Sequence, residues 1–191
     1  MSVNIEAKLP WTTELVETIV MQPKPLRDIG EEKFSDGKKR IQPHSIISTI
    51  NLTTMFMTTI CDAYDESEYK GNSRTLLRFH RKLAPYRISF AIVSSGVSAN
   101  VLSELNDLAL YLTKQLRLNH VSTLFSASSS KLSLEAQWRL YDEMGIPYNI
   151  LLNEKTLKDG LAFLRSRDTT LKEQVHVTEL VGYVDQLFRN Y

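Results

Sequence analysis

Two arginines near the C-terminus are the residues whose types and spacing most strongly suggest chemistry. Arg165 and Arg167 stand within residues 160–170, which read as a strand followed by a polar turn. Alternation along a strand places Leu161, Phe163 and Arg165 on one face. Arg165 therefore continues an apolar face, which is an unusual position for a permanent cation.

Two interpretations of this arginine pair remain open. A guanidinium is a planar, forked donor that suits a phosphate or the carboxylate of a partner protein. Alternatively, Arg165 forms an ion pair inside the chain, for which the candidates are Asp168, Glu154 and Asp159. The neighbouring sequence offers no nucleophile, metal site or nucleotide-binding loop, so both arginines are interpreted as recognition or scaffold groups.

A second concentration of charge lies in the middle of the chain. From Tyr69 to Ser103 the sequence contains no Asp or Glu. Clustered cations without counter-charges produce a positive potential that attracts anions, although a solvated basic linker would have the same composition. The cations of this stretch are Lys70, Arg74, Arg78, Arg81, Lys82 and Arg87.

Composition excludes several classes of function. The 191 residues carry a formal net charge of +1, which is too small for the whole molecule to bind nucleic acid strongly. One cysteine, Cys61, cannot build a disulfide framework or a zinc site alone. No apolar run approaches the roughly 18 residues of a membrane span.

The sequence shows none of the common catalytic patterns. It has no phosphate-binding glycine loop, and its four histidines are far apart. Neighbouring carboxylates such as Asp142 and Glu143 diverge on a helix, so we expect them on solvated faces. No catalytic residue, metal or cofactor is therefore predicted.

The periodicity of residues 86–191 predicts an α/β domain. Strands and helices alternate up to residue 152, which predicts parallel pairing with right-handed crossovers. A hairpin over residues 160–177 and a last helix follow. We expect a three-layer domain with a mixed five-stranded sheet. Ser98 and Ser133 are predicted to cap two of its helices, and Gly145 to end one.

The residues before this domain have a different composition. Residues 1–68 are interpreted as a smaller α+β segment, with a hairpin turn at Asp36-Gly37 and a helix capped by Asn51 or Thr53. Residues 69–85 are interpreted as a basic linker, which Pro85 closes.

Several short segments carry a family resemblance. They are residues 83–85 (LAP), 141–144 (YDEM), 152–157 (LNEKTL) and 161–170 (LAFLRSRDTT), followed by Lys172, Glu173 and His176. Together they resemble the accessory subunit family of mitochondrial DNA polymerase gamma, over about residues 80–191 and more loosely over 32–68. That family is similar to class II aminoacyl-tRNA synthetases, and residues 86–191 resemble their anticodon-binding domain. By the same resemblance, residues 1–68 would be a reduced remnant of the synthetase core.

The resemblance implies a non-catalytic processivity factor in mitochondrial DNA replication. Its partners would be the catalytic subunit of the mitochondrial polymerase and primer-template or duplex DNA, with no membrane and no cofactor, in the matrix nucleoid. By position, Arg165, Arg167 and Asp168 would lie at the polymerase contact. The candidate DNA contacts are Lys38, Lys39, Arg40, Lys70, Arg74, Arg78, Arg81 and Lys82.

The sequence also departs from the wider family. Residues 46–54 contain neither Gly nor Arg, whereas a synthetase ATP site needs both, so we do not expect aminoacylation. Residues 1–20 have no Arg and do not read as a transit peptide. The chain is short for a whole accessory subunit, which favours a fragment or reduced homologue and counts against a homodimer formed through the core. The alternative function is a free-standing anticodon-binding-like module that binds tRNA or another RNA.

Overall fold

The chain folds into two compact units, Met1–Asp62 and Ala63–Tyr191. The computed structural model describes residues 1–23, 35–37, 39–40, 44–69 and 71–189. The division between the units lies upstream of the basic linker that the sequence predicted over residues 69–85.

The first unit contains a three-stranded antiparallel sheet followed by a helix. Its elements are β1 (Ser2–Lys8), β2 (Thr13–Gln22), the short pair β3 (Ser35–Asp36) and β4 (Lys39–Arg40), β5 (Ser45–Ile50) and α1 (Leu52–Ala63). The sheet has the order β1-β2-β5. Gly37 takes φ +60° between β3 and β4, and the Asn51 side chain accepts hydrogen bonds from the amides of Thr53 and Thr54. Both local predictions, the turn and the cap, are thus confirmed.

The second unit begins with a hairpin where the sequence predicted the end of the first domain and the linker. Strands β6 (Tyr64–Tyr69) and β7 (Asn72–Leu77) pair antiparallel. Leu76 of β7 is fully buried. The linker interpretation is therefore wrong for this part of the chain, because a strand that buries a leucine belongs to a packed domain.

A mixed five-stranded sheet forms the centre of the second unit. Its elements are β8 (Ile88–Ile92), α2 (Ala99–Leu118), β9 (Thr123–Leu124), a 3-10 turn (Ser129–Lys131), α3 (Leu134–Glu143), β10 (Tyr148–Leu152), α4 (Glu154–Asp159), β11 (Leu161–Ser166), β12 (Lys172–His176) and α5 (Leu180–Arg189). The strand order is β12-β11-β10-β8-β9. Strand β8 runs parallel to its neighbours β9 and β10. Strand β11 runs antiparallel to both of its neighbours, β10 and β12. The predicted fold class is confirmed.

Local signals explain where the helices of this unit begin and end. The hydroxyls of Ser98 and Ser133 accept hydrogen bonds from backbone amides in the first turns of α2 and α3, as predicted. Sequence reasoning missed α4, although Asn153 and Thr156 form a capping box at its start. Gly160 ends α4 with φ +72°.

Helices cover both faces of the sheet. On one face, Phe90 and Ile150 pack against α2 and α5 in the larger core. On the other face, Ala91 and Leu151 pack against Tyr141 of α3 in the smaller core. The three-layer arrangement follows, and the candidate site lies on the α3 side.

Candidate functional site

A row of polar side chains crosses the sheet beneath α3. Ser89, Asn149 and Arg165 stand opposite one another on β8, β10 and β11, and all three are buried. The Ser89 hydroxyl donates to the Asn149 side-chain oxygen at 2.9 Å. Arg165 is therefore one member of a buried polar row, which accounts for its position on an otherwise apolar face.

A single carboxylate neutralises the arginine of this row. Asp142 of α3 accepts two hydrogen bonds from Arg165, each of 3.0 Å, and is itself buried. Charge-assisted hydrogen bonds of this bidentate kind are stronger than those between neutral groups. The prediction that Asp142 lies on a solvated face is wrong, and the candidate partners Asp168, Glu154 and Asp159 did not include the residue that pairs with Arg165.

The same carboxylate also receives an arginine from the β6–β7 hairpin. Arg74 donates to Asp142 at 2.9 Å and to the backbone carbonyl of Arg167 at 2.6 Å. Its guanidinium is thus engaged inside the unit and only slightly exposed. This placement counts against the prediction that Arg74 contacts DNA, because a phosphate would have to replace a buried ion pair.

Arg167 binds the backbone of two other segments, residues 77–79 and Gly145. Its guanidinium donates to the carbonyls of Leu77, Gly145 and Phe79 at 2.8, 2.9 and 3.2 Å, and it also binds the Asp168 carboxylate. Its side chain is 3% exposed. Burial of this extent counts against a direct contact of Arg165 or Arg167 with a polymerase.

Asp168 differs from the two arginines because it is accessible. Its side chain is 47% exposed and accepts hydrogen bonds from Arg167 and, at 3.4 Å, from Arg78. Of the three residues predicted at a partner contact, it alone presents its charged group at the surface.

The predicted DNA contacts fall into several environments. Arg78 bonds the Asp65 carboxylate at 2.6 Å, Arg81 donates to the carbonyl of Leu187 at 2.8 Å, and Lys82 is exposed. Lys38 and Lys70 lie outside the described residues, as do the side chains of Lys39 and Arg40. Of the cations in the stretch without acidic residues, Arg74 and Arg78 thus find counter-charges elsewhere in the chain, in Asp142 and Asp65.

Sequence reasoning missed an aromatic platform beside Arg165. The Trp138 ring has the Arg165 guanidinium carbon 5.0 Å from its centre and the Lys172 ammonium 4.4 Å from it, distances at which a cation is attracted to the ring. The i, i+4 spacing of Trp138 and Asp142 on α3 was the available signal, because residues so spaced share one helix face.

One buried tyrosine of this side has a shifted acidity. Burial raises the pKa of Tyr141 above its usual value of 10.0, and a hydrogen bond with Ser129 offsets part of that rise. Its hydroxyl also donates to the carbonyl of Phe90 at 2.9 Å. The group is a neutral hydrogen-bonding link between α3 and the sheet.

Neither a metal site nor a membrane-spanning helix is found in the described part of the chain. No three His, Cys, Asp or Glu side chains there are grouped so that they could hold a metal ion. Among the same residues, no helix is long and apolar enough to cross a membrane.

The sequence is similar to two groups of known proteins. It is 35% identical over 184 residues to the mitochondrial DNA polymerase subunit gamma-2 of Drosophila melanogaster, covering 91% of this chain and 49% of that protein. The same subunit of Xenopus laevis is 28% identical over 201 residues, covering 94% of this chain and 40% of that protein. The glycine–tRNA ligase of Borreliella burgdorferi is 28% identical over 155 residues, or 81% of this chain and 33% of the ligase.

These similarities confirm the resemblance to the C-terminal part of the accessory subunit. The chain spans about half the length, or less, of the curated relatives it matches. The anticodon binding domain family matches residues 91–187, which include α2, α3 and the strands β10 and β11 of the buried polar row. Since this match extends over half of the sequence, the chain belongs to the anticodon binding domain family.

Proposed function

We propose that the chain acts as a non-catalytic accessory factor of the mitochondrial DNA polymerase, in the mitochondrial matrix. The observation that carries this proposal is its 35% identity, across 91% of the chain, to the Drosophila melanogaster polymerase subunit. The similarity to glycine–tRNA ligases is lower and covers less of the chain. The factor binds the catalytic subunit and holds it on primer-template DNA, which raises processivity.

The turn between β11 and β12 is the best candidate for the polymerase contact. Leu171 in this turn is 69% exposed and follows Asp168, whose carboxylate is accessible, by three residues. Thr170 takes φ +59°, a left-handed conformation that costs a β-branched residue of the order of 1–3 kcal/mol. Strain of this kind concentrates at functional sites, and Arg167, the first residue of the turn, anchors it to the carbonyls of Leu77, Phe79 and Gly145.

Size-exclusion chromatography of the full chain with the polymerase catalytic subunit tests the proposal. We expect the two to co-elute and the chain to lengthen the products made on primer-template DNA. Failure to co-elute, together with unchanged product length, would contradict the proposed function.

A matched pair of leucines tests the location of the contact. Leu171→Glu places a charge in the turn, and we expect association to weaken about ten-fold, the loss typical of a contact residue of moderate importance. Leu118→Glu is the control, because Leu118 is 73% exposed at the end of α2. An equal effect of both substitutions would exclude the turn as a specific contact.

DNA binding by the remaining basic residues forms the second part of the proposal. Arg78, Arg81 and Lys82 stay candidates after the placement of Arg74. The logarithm of the affinity for duplex DNA falls linearly with the logarithm of the salt concentration. Each substitution by glutamine that removes a phosphate contact should reduce the magnitude of this slope by about 0.9. An unchanged slope in the triple variant would contradict this part. The exposed Lys155, beyond the other end of β10, serves as control.

The absence of catalysis and the oligomeric state are also part of the proposal. Because residues 46–54 lack the glycine and arginine of a synthetase ATP site, we expect no amino-acid-dependent pyrophosphate exchange, and exchange above background would contradict this expectation. Light scattering of the chain alone measures its mass in solution and so tests whether it forms a homodimer. We expect the mass of a monomer.

A second candidate function rests on the family match. The anticodon binding domain match and the similarity to glycine–tRNA ligases favour an RNA-binding module. Loops of RNA are commonly bound by stacking on aromatic rings, but Tyr86 and Tyr148 are half-buried, and Tyr148 packs edge-on against Phe188 with ring centres 5.7 Å apart. Filter binding of tRNA against primer-template DNA separates the two functions, and preference for tRNA would favour the second.

A further inference from the structure

A cavity opens at the surface of the second unit, next to the turn proposed as the polymerase contact. It has a volume of about 400 Å³, within the range of small-ligand sites. It lies where the loop after β7 meets the beginning of β10 and the residues after β11. The side chains that matter for its chemistry are Arg78, Phe79, His80, Arg81, Tyr148 and Asp168.

The inner wall of the cavity is built by groups that the rest of the fold holds rigidly. Arg167 lines it and binds the carbonyls of Leu77 and Phe79 on one side and of Gly145 on the other. Gly145 has φ +73°, and a Cβ atom at this position would collide with the Phe79 ring. The loop that presents Arg78 and Arg81 is thus fixed at its base.

Charge in the cavity is mainly positive. Arg78, Arg81 and Arg167 line it together with one carboxylate, Asp168, and Arg81 also donates to the carbonyl of Leu187 at 2.8 Å. Arg78 is 41% exposed and is shared between Asp65 at 2.6 Å and Asp168 at 3.4 Å. The longer contact is the weaker one, and Asp168 keeps its bonds with Arg167 without it. An incoming anion can therefore take the place of Asp168 at Arg78, while the Asp168 carboxylate keeps its pair with Arg167.

The shape of the site favours an oxyanion over a flat ring. Tyr148 already packs against Phe188, and Phe79 lies against Gly145, so neither ring is open on both faces. A phosphate group offers several acceptor oxygens, and guanidinium forks match them. A carboxylate side chain offers fewer acceptors for the same donors.

We propose that this cavity binds a phosphate group, with Arg78 and Arg81 as donors and with Asp168 giving up its contact to Arg78. The group comes either from free phosphate or from the backbone of a nucleic acid. The second source deepens the proposed function and rests on it, whereas binding of phosphate as such does not.

Amide NMR of the full chain tests the proposal with three probes: inorganic phosphate, a short oligothymidylate and a short oligoglutamate peptide. We expect both phosphate compounds to shift the amide signals of Phe79, Arg81 and Tyr148. Response to phosphate but not to the oligonucleotide would assign the site to the free ion. Response to the peptide alone, or to none of the probes, would overturn the proposal.

Substitutions of opposite expected sign make this test sharper. Arg78→Gln should weaken phosphate binding roughly ten-fold, the loss expected for a charge-assisted hydrogen bond. Asp65→Asn should strengthen it roughly three-fold, because one negative charge close to the site is removed without touching Arg167. Lys155→Gln controls for general loss of positive charge. Equal weakening by Arg78→Gln and Lys155→Gln, or no gain with Asp65→Asn, would contradict a specific site.

The outcome is independent of the polymerase experiment. If phosphate binds and the chain does not co-elute with the catalytic subunit, the proposed function fails and the cavity assignment stands. If the chain co-elutes and phosphate does not bind, only the cavity assignment fails.

Discussion

The two units of this protein bury their sheets to very different extents. In the second unit, helices cover both faces of the five-stranded sheet, and residues such as Phe90, Ile150 and Leu152 are almost fully buried. Within the described part of the first unit, Val16 is the only buried hydrophobic residue. Since burial of apolar surface is the main source of stability, the second unit holds most of the folding free energy.

The exposed residues of the first unit reinforce this contrast. The sheet there exposes Ile5, Leu15 and Ile46, and α1 exposes Met55 and Phe56. A sheet with a single buried apolar residue gains little stability from its side chains. Its stability depends on the hydrogen bonds between the backbones of its strands. The second unit can instead accept a buried ion pair, because its apolar layers supply the stability that the desolvation of charges removes.

The largest effect that tests this contrast comes from Asp142→Asn. The substitution leaves two arginines without their buried counter-charge, and we expect the second unit to lose about 3–5 kcal/mol of its free energy of unfolding. Urea denaturation and the amide hydrogen exchange rates in β8 both measure this loss. The exchange rates in β2, which belongs to the first unit, should stay unchanged.

The control for that substitution is the same change at Asp65. Its carboxylate pairs with Arg78 at 2.6 Å but is 36% exposed, so the expected loss is below about 1 kcal/mol. Similar losses for Asp142→Asn and Asp65→Asn would show that the buried polar row has no special part in the stability of the unit.

The second prediction concerns the close approach beneath the cavity. Gly145→Ala adds a methyl group that collides with the Phe79 ring and the carbonyl of Leu77, and we expect this collision to cost about 1–3 kcal/mol more than the same change at Gly96. Gly96→Ala is the matched control, because Gly96 has φ +78° and nothing within 4 Å of the added atom. Equal losses in urea denaturation would mean that the contact with Phe79 contributes nothing.

The sequence predicted the parts of the second unit that depend on local signals. Ser98, Ser133 and Gly145 marked helix ends because capping involves residues within one turn of each other. The parallel pairing of its first strands followed from the alternation of strands and helices. The short α4 was missed although Asn153 and Thr156 marked it, because six residues carry too little periodicity to reveal a helix.

The ionic contacts could not be predicted in the same way. Arg165 pairs with Asp142, 23 residues before it, and Arg74 reaches the same carboxylate from 68 residues before it. Sequence distance does not identify which of 22 acidic residues an arginine meets. Treating the stretch from Tyr69 to Ser103 as a basic surface failed for Arg74 because its counter-charge is supplied by α3.

The third prediction uses the tyrosine that links α3 to the sheet. Tyr141→Phe removes the hydroxyl that bonds Ser129 and Phe90, and we expect a loss of about 1 kcal/mol in urea denaturation at neutral pH. The pKa of Tyr141 is raised in the folded state. The folded state therefore keeps its proton more strongly, and stability is full below the usual pKa of about 10 and falls as the pH rises above it. This loss of stability at high pH should be smaller in Tyr141→Phe than in the wild-type protein. Identical pH profiles for the two would contradict the conclusion that Tyr141 has a raised pKa in the folded state.

The smallest expected effect tests the first unit directly. Phe56 is 63% exposed on α1, so Phe56→Ser should change the free energy of unfolding by less than about 0.5 kcal/mol. Urea denaturation checks this, with Val16→Ala as a comparison that removes the buried residue of the sheet and should cost more. A large loss from Phe56→Ser would mean that α1 is covered in solution, and the contrast between an enclosed and an open unit would then be wrong for this face of the helix.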